Sequence, residues 1–324
     1  MYNYPWVGKA TFIVKGTRSM AISHWRCFVL VLAIIPVISV TKWIVGLQQF
    51  SCHTRDDDSV RAISALWSLA QSMSAEEIFR YLHWTNSISC LFAVDFGFFI
   101  RNGEGLAAPD GHKAICLDLP VSPVYNSCIV YSFGINNQWS FDKAMSDFRC
   151  KVYSFDPSMG EEDHDESQYI HFYNLGLAGK NGRDPSNGWK METASSIYQK
   201  LLPYHGSVAI DIFKMDIEFS EWEVIPEMLK SGFLANHVKQ LAVEIHFDPN
   251  DSLATFRNRV HILQKLESAS PSDAGHFIRF SSRPNPWLQR ELSILNGKKD
   301  YIGLELAWYN SRYYPAKLVL QDAK

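Results

Sequence analysis

The sequence predicts an α/β domain built on a mostly parallel sheet, with a membrane-spanning helix ahead of it. Three observations carry that expectation. The run Ile129-Val-Tyr-Ser-Phe-Gly-Ile-Asn136 is an apolar strand that ends in a glycine turn. Val152-Tyr-Ser-Phe-Asp156 is a second strand, ending in a carboxylate 22 residues after Gly134. Far upstream, Cys27 to Leu47 makes 21 residues with Lys42 as their one charge, close to the ~20 that cross a bilayer.

The N-terminal stretch is cationic: Lys9, Lys15, Arg18 and Arg26 all precede the first acidic residue, Asp56. With Asp56-Asp-Asp58 on the other side, the charge bias predicts a cytosolic N-terminus and a luminal remainder. Trp25 and Trp43 flank the run as interfacial residues would, and Lys42 can snorkel. A cleaved signal peptide with an apolar core over 27–40 is the alternative, although that core starts late and lacks a clear small-x-small site. A buried core helix is the third reading, and the run offers no polar face for it. The expected division is a basic tail over 1–26, a signal anchor over 27–47, a stem and helical segment over 48–88, and a catalytic-type domain over 89–324. That is a single-pass type II protein of the secretory pathway, facing the Golgi or endoplasmic reticulum lumen.

Composition narrows the partners. A formal charge of −3 over 324 residues gives no electrostatic footprint for nucleic acid, and 47% hydrophobic residues allow a sizeable core. Cys90, Cys116, Cys128 and Cys150 form an even set, with no CxxC pair to suggest zinc. An oxidising lumen would pair them, in any of three ways.

Element by element, Arg55 to Ser59 reads as a polar stem. Val60 to Leu82 places Ile63, Leu66, Trp67, Ala70, Ile78 and Leu82 at broadly helical spacing. Gly97 to Gly111 reads as a glycine-rich loop leading to Lys113-Ala-Ile-Cys-Leu117. Strands then alternate with helices, which argues for parallel pairing. Strands are expected over 128–133, 151–155, 170–174, 208–217 and 241–247. Helices are expected over 141–148, 193–202, 221–230 and 253–268, and 178–190 is a polar loop. The segments 277–281 and 301–307 suit a closing antiparallel pair, giving a Rossmann-like sheet of seven strands.

Ligands of open α/β sheets sit outside the carboxyl ends of the strands, and that rule selects the chemistry. Phe133, Gly134 and Asn136 follow the first strand, and Asp156 follows the second, at the spacing of an acid that holds ribose hydroxyls. One glycine is too few for a dinucleotide fingerprint, so S-adenosylmethionine fits better than a pyrophosphate cofactor. Asp216 and Glu218 follow the fourth strand two residues apart, on one side if the strand continues through them. They can line the donor pocket, hold a hydroxyl or a metal, or cap the next helix. Glu244 and His246 end the fifth strand, and an imidazole there suits a general base as well as a structural role. Asp163-His164-Asp165 reads as a solvated loop, and no metal site is expected.

At these residues a resemblance becomes specific. Val130-Tyr-Ser-Phe-Gly-Ile-Asn-Asn-Gln-Trp-Ser-Phe-Asp142, Tyr153-Ser-Phe-Asp-Pro-Ser-Met159, His171-Phe-Tyr-Asn-Leu-Gly176 and Lys214-Met-Asp-Ile-Glu218 resemble the methyltransferase-like protein 24 group. So do Asp110-Gly-His-Lys-Ala-Ile-Cys116 and Glu244-Ile-His246, and the likeness spans roughly 90–315. That group is related to FkbM-type methyltransferases. The resemblance implies the seven-stranded methyltransferase sheet, donor contacts at Gly134 and Asp156, and Asp216 with Glu218 in the pocket. It also implies O-methylation of a hydroxyl on a glycan or small molecule; from their places at the strand ends, His246 or Glu218 is expected to take the proton. One departure stands out: the FkbM pattern has glycine after Asp-x-Glu where this chain has Phe219. A catalytically silent domain that binds a luminal partner is the competing expectation.

Overall fold

The computed structural model describes residues 67–103, 105–268 and 275–313. The anchor expected over 27–47, the basic tail before it and the stem over 55–59 lie outside the described residues. Among the described residues no helix is long and apolar enough to cross a membrane.

Seven strands make the body of the central sheet: β1 (Ile129–Phe133), β2 (Lys151–Phe155), β3 (Ile170–Tyr173), β4 (Ile210–Met215), β5 (Val238–His246), β6 (Phe277–Pro284) and β7 (Gly303–Asn310). Their order is β6-β7-β5-β4-β1-β2-β3, and the two-residue strand His164–Asp165 extends the β3 edge to give eight. β1 to β5 are parallel, while β7 runs antiparallel between β5 and β6. The sequence reading is right on the alternation and the closing pair, and it misses the short edge strand.

Parallel strands need both faces covered, and this sheet alternates accordingly. Tyr131, Phe133, Tyr153, Phe155 and Phe213 face one core, and Val130, Val152 and Ile212 face the other. The aromatic face is continuous: Phe133 stacks on Phe155 with ring centroids 4.5 Å apart, and Phe155 stacks on Tyr173 at 5.3 Å. Each such ring contributes about 1.5–3 kcal/mol by burial. Helices α1 (Ala75–His83), α2 (Ser140–Asp147), α3 (Ala194–His205), α4 (Glu221–Lys230) and α5 (Leu253–Glu267) cover the two faces.

Two expectations need correction. The helical segment expected over 60–82 begins, among the described residues, as a single turn at Ala70–Ser72 and then α1. Ser74 sets that start, because it forms a capping box with Glu77. The loop expected over 97–111 is instead a hairpin, Phe99–Gly103 paired with Leu106–Asp110. Its first strand is exposed along its whole length, so it offers no buried alternation to read.

The four cysteines pair as Cys90–Cys116 and Cys128–Cys150. The second bridge ties the residue before β1 to the residue before β2 across 22 positions. Loop-closure entropy puts its contribution at about 3 kcal/mol. The double variant Cys128→Ala/Cys150→Ala should therefore unfold at lower urea than the parent, by about that free energy. An unchanged midpoint under non-reducing conditions would show that the bridge does not constrain the unfolded chain.

Candidate active site

The site is built where β1, β2, β4 and β5 end together. Phe133 closes β1, fully buried, and its carbonyl accepts from the Asp216 amide (3.1 Å) and from Lys214 Nζ (2.9 Å). Gly134 follows at φ +76°, and a Cβ on it would stand 1.6 Å from the Asp216 carbonyl oxygen. Only glycine permits that approach. Asn136 and Asn137 continue at φ 46° and 61°, a left-handed conformation that asparagine tolerates better than most residues.

Asp156, buried just beyond β2, holds this turn. One carboxylate oxygen accepts from the amides of Ile135 (2.8 Å) and Asn136 (2.7 Å). The other accepts from the Ser158 amide (2.8 Å) and hydroxyl (2.6 Å). A carboxylate offers about four acceptor positions, so this one is filled by the protein itself. The acid expected to meet ribose hydroxyls is, in this structure, the clamp joining the β1 and β2 turns.

Across the cavity stands a buried ionic cluster. Lys113, 1% exposed, lies 2.6 Å from Glu305 and 3.7 Å from both Asp216 and Glu244. Burial disfavours its charge, but the three carboxylates outweigh burial and hold its pKa well above the lysine range. Burial raises Asp216 to about 7, helped by Glu244 and opposed by Lys113 and Lys214. Burial likewise pushes Glu305 well up. In Glu244 burial is overcome by His246 and Lys113, which hold the carboxyl well below its usual range. Lys214 is lowered by burial, with Asp216 partly restoring it. Removing one partner from such a cluster typically costs about 3–5 kcal/mol.

His246 ends β5. Its Nδ1 donates to Glu221 Oε1 (3.1 Å), and its Nε2 lies 3.5 Å from Glu244 and 3.7 Å from Glu218. Burial works against the imidazolium, but Glu221 and Glu244 raise its pKa to about 11. Trp222 Nε1 donates to the His246 carbonyl (2.7 Å), which fixes the strand end against α4.

The expected residues therefore converge. Phe133, Gly134, Asn136, Asp156, Asp216, Glu218 and His246 all line one cavity of about 920 Å³, together with the aromatic residues Phe99, Trp189 and Trp287. One placement differs: β4 stops at Met215, so Asp216 and Glu218 lie in the turn beyond it and not on a strand. Glu218 and Phe219 form that turn at φ 48° and 73°. A glycine would take the Phe219 conformation without strain, whereas Phe219 holds it with its ring 5.8 Å from His246 and under Arg259 at 6.0 Å. Sequence reasoning missed Lys113, Lys214, Glu221, Asn285 and Glu305. Glu305 did leave a signal, as the single charge inside an otherwise apolar strand.

A parallel sheet in this order, with an antiparallel penultimate strand and a cavity at its carboxyl edge, defines an α/β domain of the methyltransferase class. Residues 84–294 match the family described as "Methyltransferase domain", and the chain belongs to that family. It is similar to two proteins named probable methyltransferase-like protein 24. The human one is 28% identical over 75% of this chain and 67% of its own length. The rat one is 26% identical over 76% and 69%. A crystal structure of methyltransferase FkbM from Methylobacillus flagellatus KT aligns at TM-score 0.35 and 12% identity, covering 57% of this chain and 44% of that one.

Phe219→Gly should stabilise the fold by about 1 kcal/mol, because a left-handed position strains a side chain that is exposed. Urea unfolding reads this directly. A destabilised variant would mean that the contacts with His246 and Arg259 outweigh the strain.

Proposed function

We propose that this protein transfers a methyl group from S-adenosylmethionine to a hydroxyl of a glycan or small molecule. The observation that carries the reading is the single cavity joining the Gly134–Asn136 turn to the wall of Asp216, Glu244 and His246. At about 920 Å³ it can accept a nucleoside-sized donor beside an acceptor.

S-adenosylmethionine would supply a methyl group on a sulfonium, and the S–C electron pair stays with sulfur as a new O–CH3 bond forms. Phe133, Gly134 and Asn136 would form the floor under the donor. Asp156 keeps that floor in shape by holding two of its amides. Asp216 would face the donor from the β4 side. Glu218, the most exposed acid of the group, would take the hydroxyl proton, with His246 holding it in place 3.7 Å away. Most of the acceleration would come from fixing donor and acceptor in line. The run over 27–47 would anchor the chain as a type II protein with this domain in the secretory lumen.

The filled coordination of Asp156 favours a second reading, a silent methyltransferase fold that binds a luminal partner. Calorimetry with the full-length protein separates the two. The enzyme reading expects one saturable S-adenosylmethionine site, weakened at least tenfold by Asp156→Ala in protein shown by melting to be folded. It also expects Glu218→Gln to keep donor binding while losing about 10²-fold or more of transfer to a hydroxyl acceptor. No binding by the folded parent protein would leave the silent domain.

A further inference from the structure

We propose that Asp216, Glu244 and His246 form a divalent-cation site in the cavity wall. The proposal rests on the methyltransferase reading and adds to it that the ion holds the acceptor's hydroxyl.

Adjacent parallel strands bring the three residues together. Met215 pairs with Val243, so Asp216 and Glu244 follow side by side, and His246 lies two residues on, on the same face of β5. One ligand atom from each of the three falls within 4.8 Å of the others. The separation between Glu244 Oε1 and His246 Nε2, 3.5 Å, suits two ligands of one ion.

A second observation is independent of that cluster. Glu221 is fully buried, accepts the His246 Nδ1 proton at 3.1 Å, and is itself held by the Ile217 amide at 3.2 Å. It therefore fixes the ring with Nε2 turned to Glu244 and Glu218, and His246 lines the cavity. A carboxylate on the far nitrogen is how metal-binding histidines are oriented. Nε2 belongs to a side chain only 7% exposed, and the acids before it stand at 3.5 and 3.7 Å.

Lys113 is a counter-ion beside the three ligands: it lies against Glu305 at 2.6 Å and stands 3.7 Å from Asp216 and Glu244, while Asn285 donates to Glu244 Oε1 at 2.7 Å. Two carboxylate ligands and one imidazole, with no thiolate, suit manganese, magnesium or zinc in the divalent state. Three protein ligands leave positions open for the acceptor. A hydroxyl bound there would be more acidic, so its proton passes more readily to Glu218 as the O–CH3 bond forms.

Manganese(II) titrated into the full-length protein and followed by electron paramagnetic resonance tests this. One ion per chain is expected, with a pulsed-resonance coupling to one imidazole nitrogen. His246→Gln should abolish that coupling, and Glu221→Gln should weaken binding by about 10- to 100-fold. If either variant melts early, the coupling in the parent protein decides. Absence of stoichiometric manganese, absence of the nitrogen coupling, or a coupling that survives His246→Gln and disappears in His164→Gln would overturn the proposal. Donor calorimetry in the presence of a chelator reports separately on the methyltransferase reading, so either claim can fail alone.

Discussion

The cavity depends on one close contact, the backbone of Gly134 against the carbonyl of Asp216. A side chain at position 134 would fall 1.6 Å from that oxygen. The contact brings the ends of β1 and β4 together, and the Asp216 amide and Lys214 ammonium seal it through the Phe133 carbonyl. From it the turn after β1 is directed towards Asp156, and the turn after β4 towards His246. Both walls of the site are thus referred to one point in the sheet.

The two walls differ in their physics. The wall at β1 and β2 is made of backbone amides gathered on a single buried carboxylate, which is rigid and close to neutral in its demands. The wall at β4 and β5 is a cluster of buried charges, which is costly unless each finds a partner. Lys113 meets three carboxylates, His246 meets Glu221, Glu218 and Glu244, and Asn285 adds a neutral donor. Burying such a cluster is poor design for stability alone, and it fits a wall that must meet a polar ligand.

Much of this was legible in the sequence, for identifiable reasons. The parallel core announces itself because strands buried on both faces become apolar runs, and Gly134 and Asp156 stand out at their ends. Asp216, Glu218, Glu244 and His246 follow from the same rule about strand ends. What escaped depends on distant pairing. Lys113 reaches the site from a strand outside the main sheet, and Glu305 arrives through its antiparallel register opposite Glu244. The saturation of Asp156 was hidden too, because its donors are backbone amides that any sequence would supply. The exposed hairpin at 99–110 left no pattern, since neither face of its first strand is buried. Phe219 was visible as a departure, but its meaning required the backbone angle of the position.

Amide hydrogen exchange with and without S-adenosylmethionine tests the central claim, that this cavity is the donor site. Protection should appear over 134–138, 157–159 and 216–220, the turns that line it. Protection confined to the smaller cavity of about 250 Å³ at Tyr173, Lys190 and Tyr204, or no protection at all, would contradict the account.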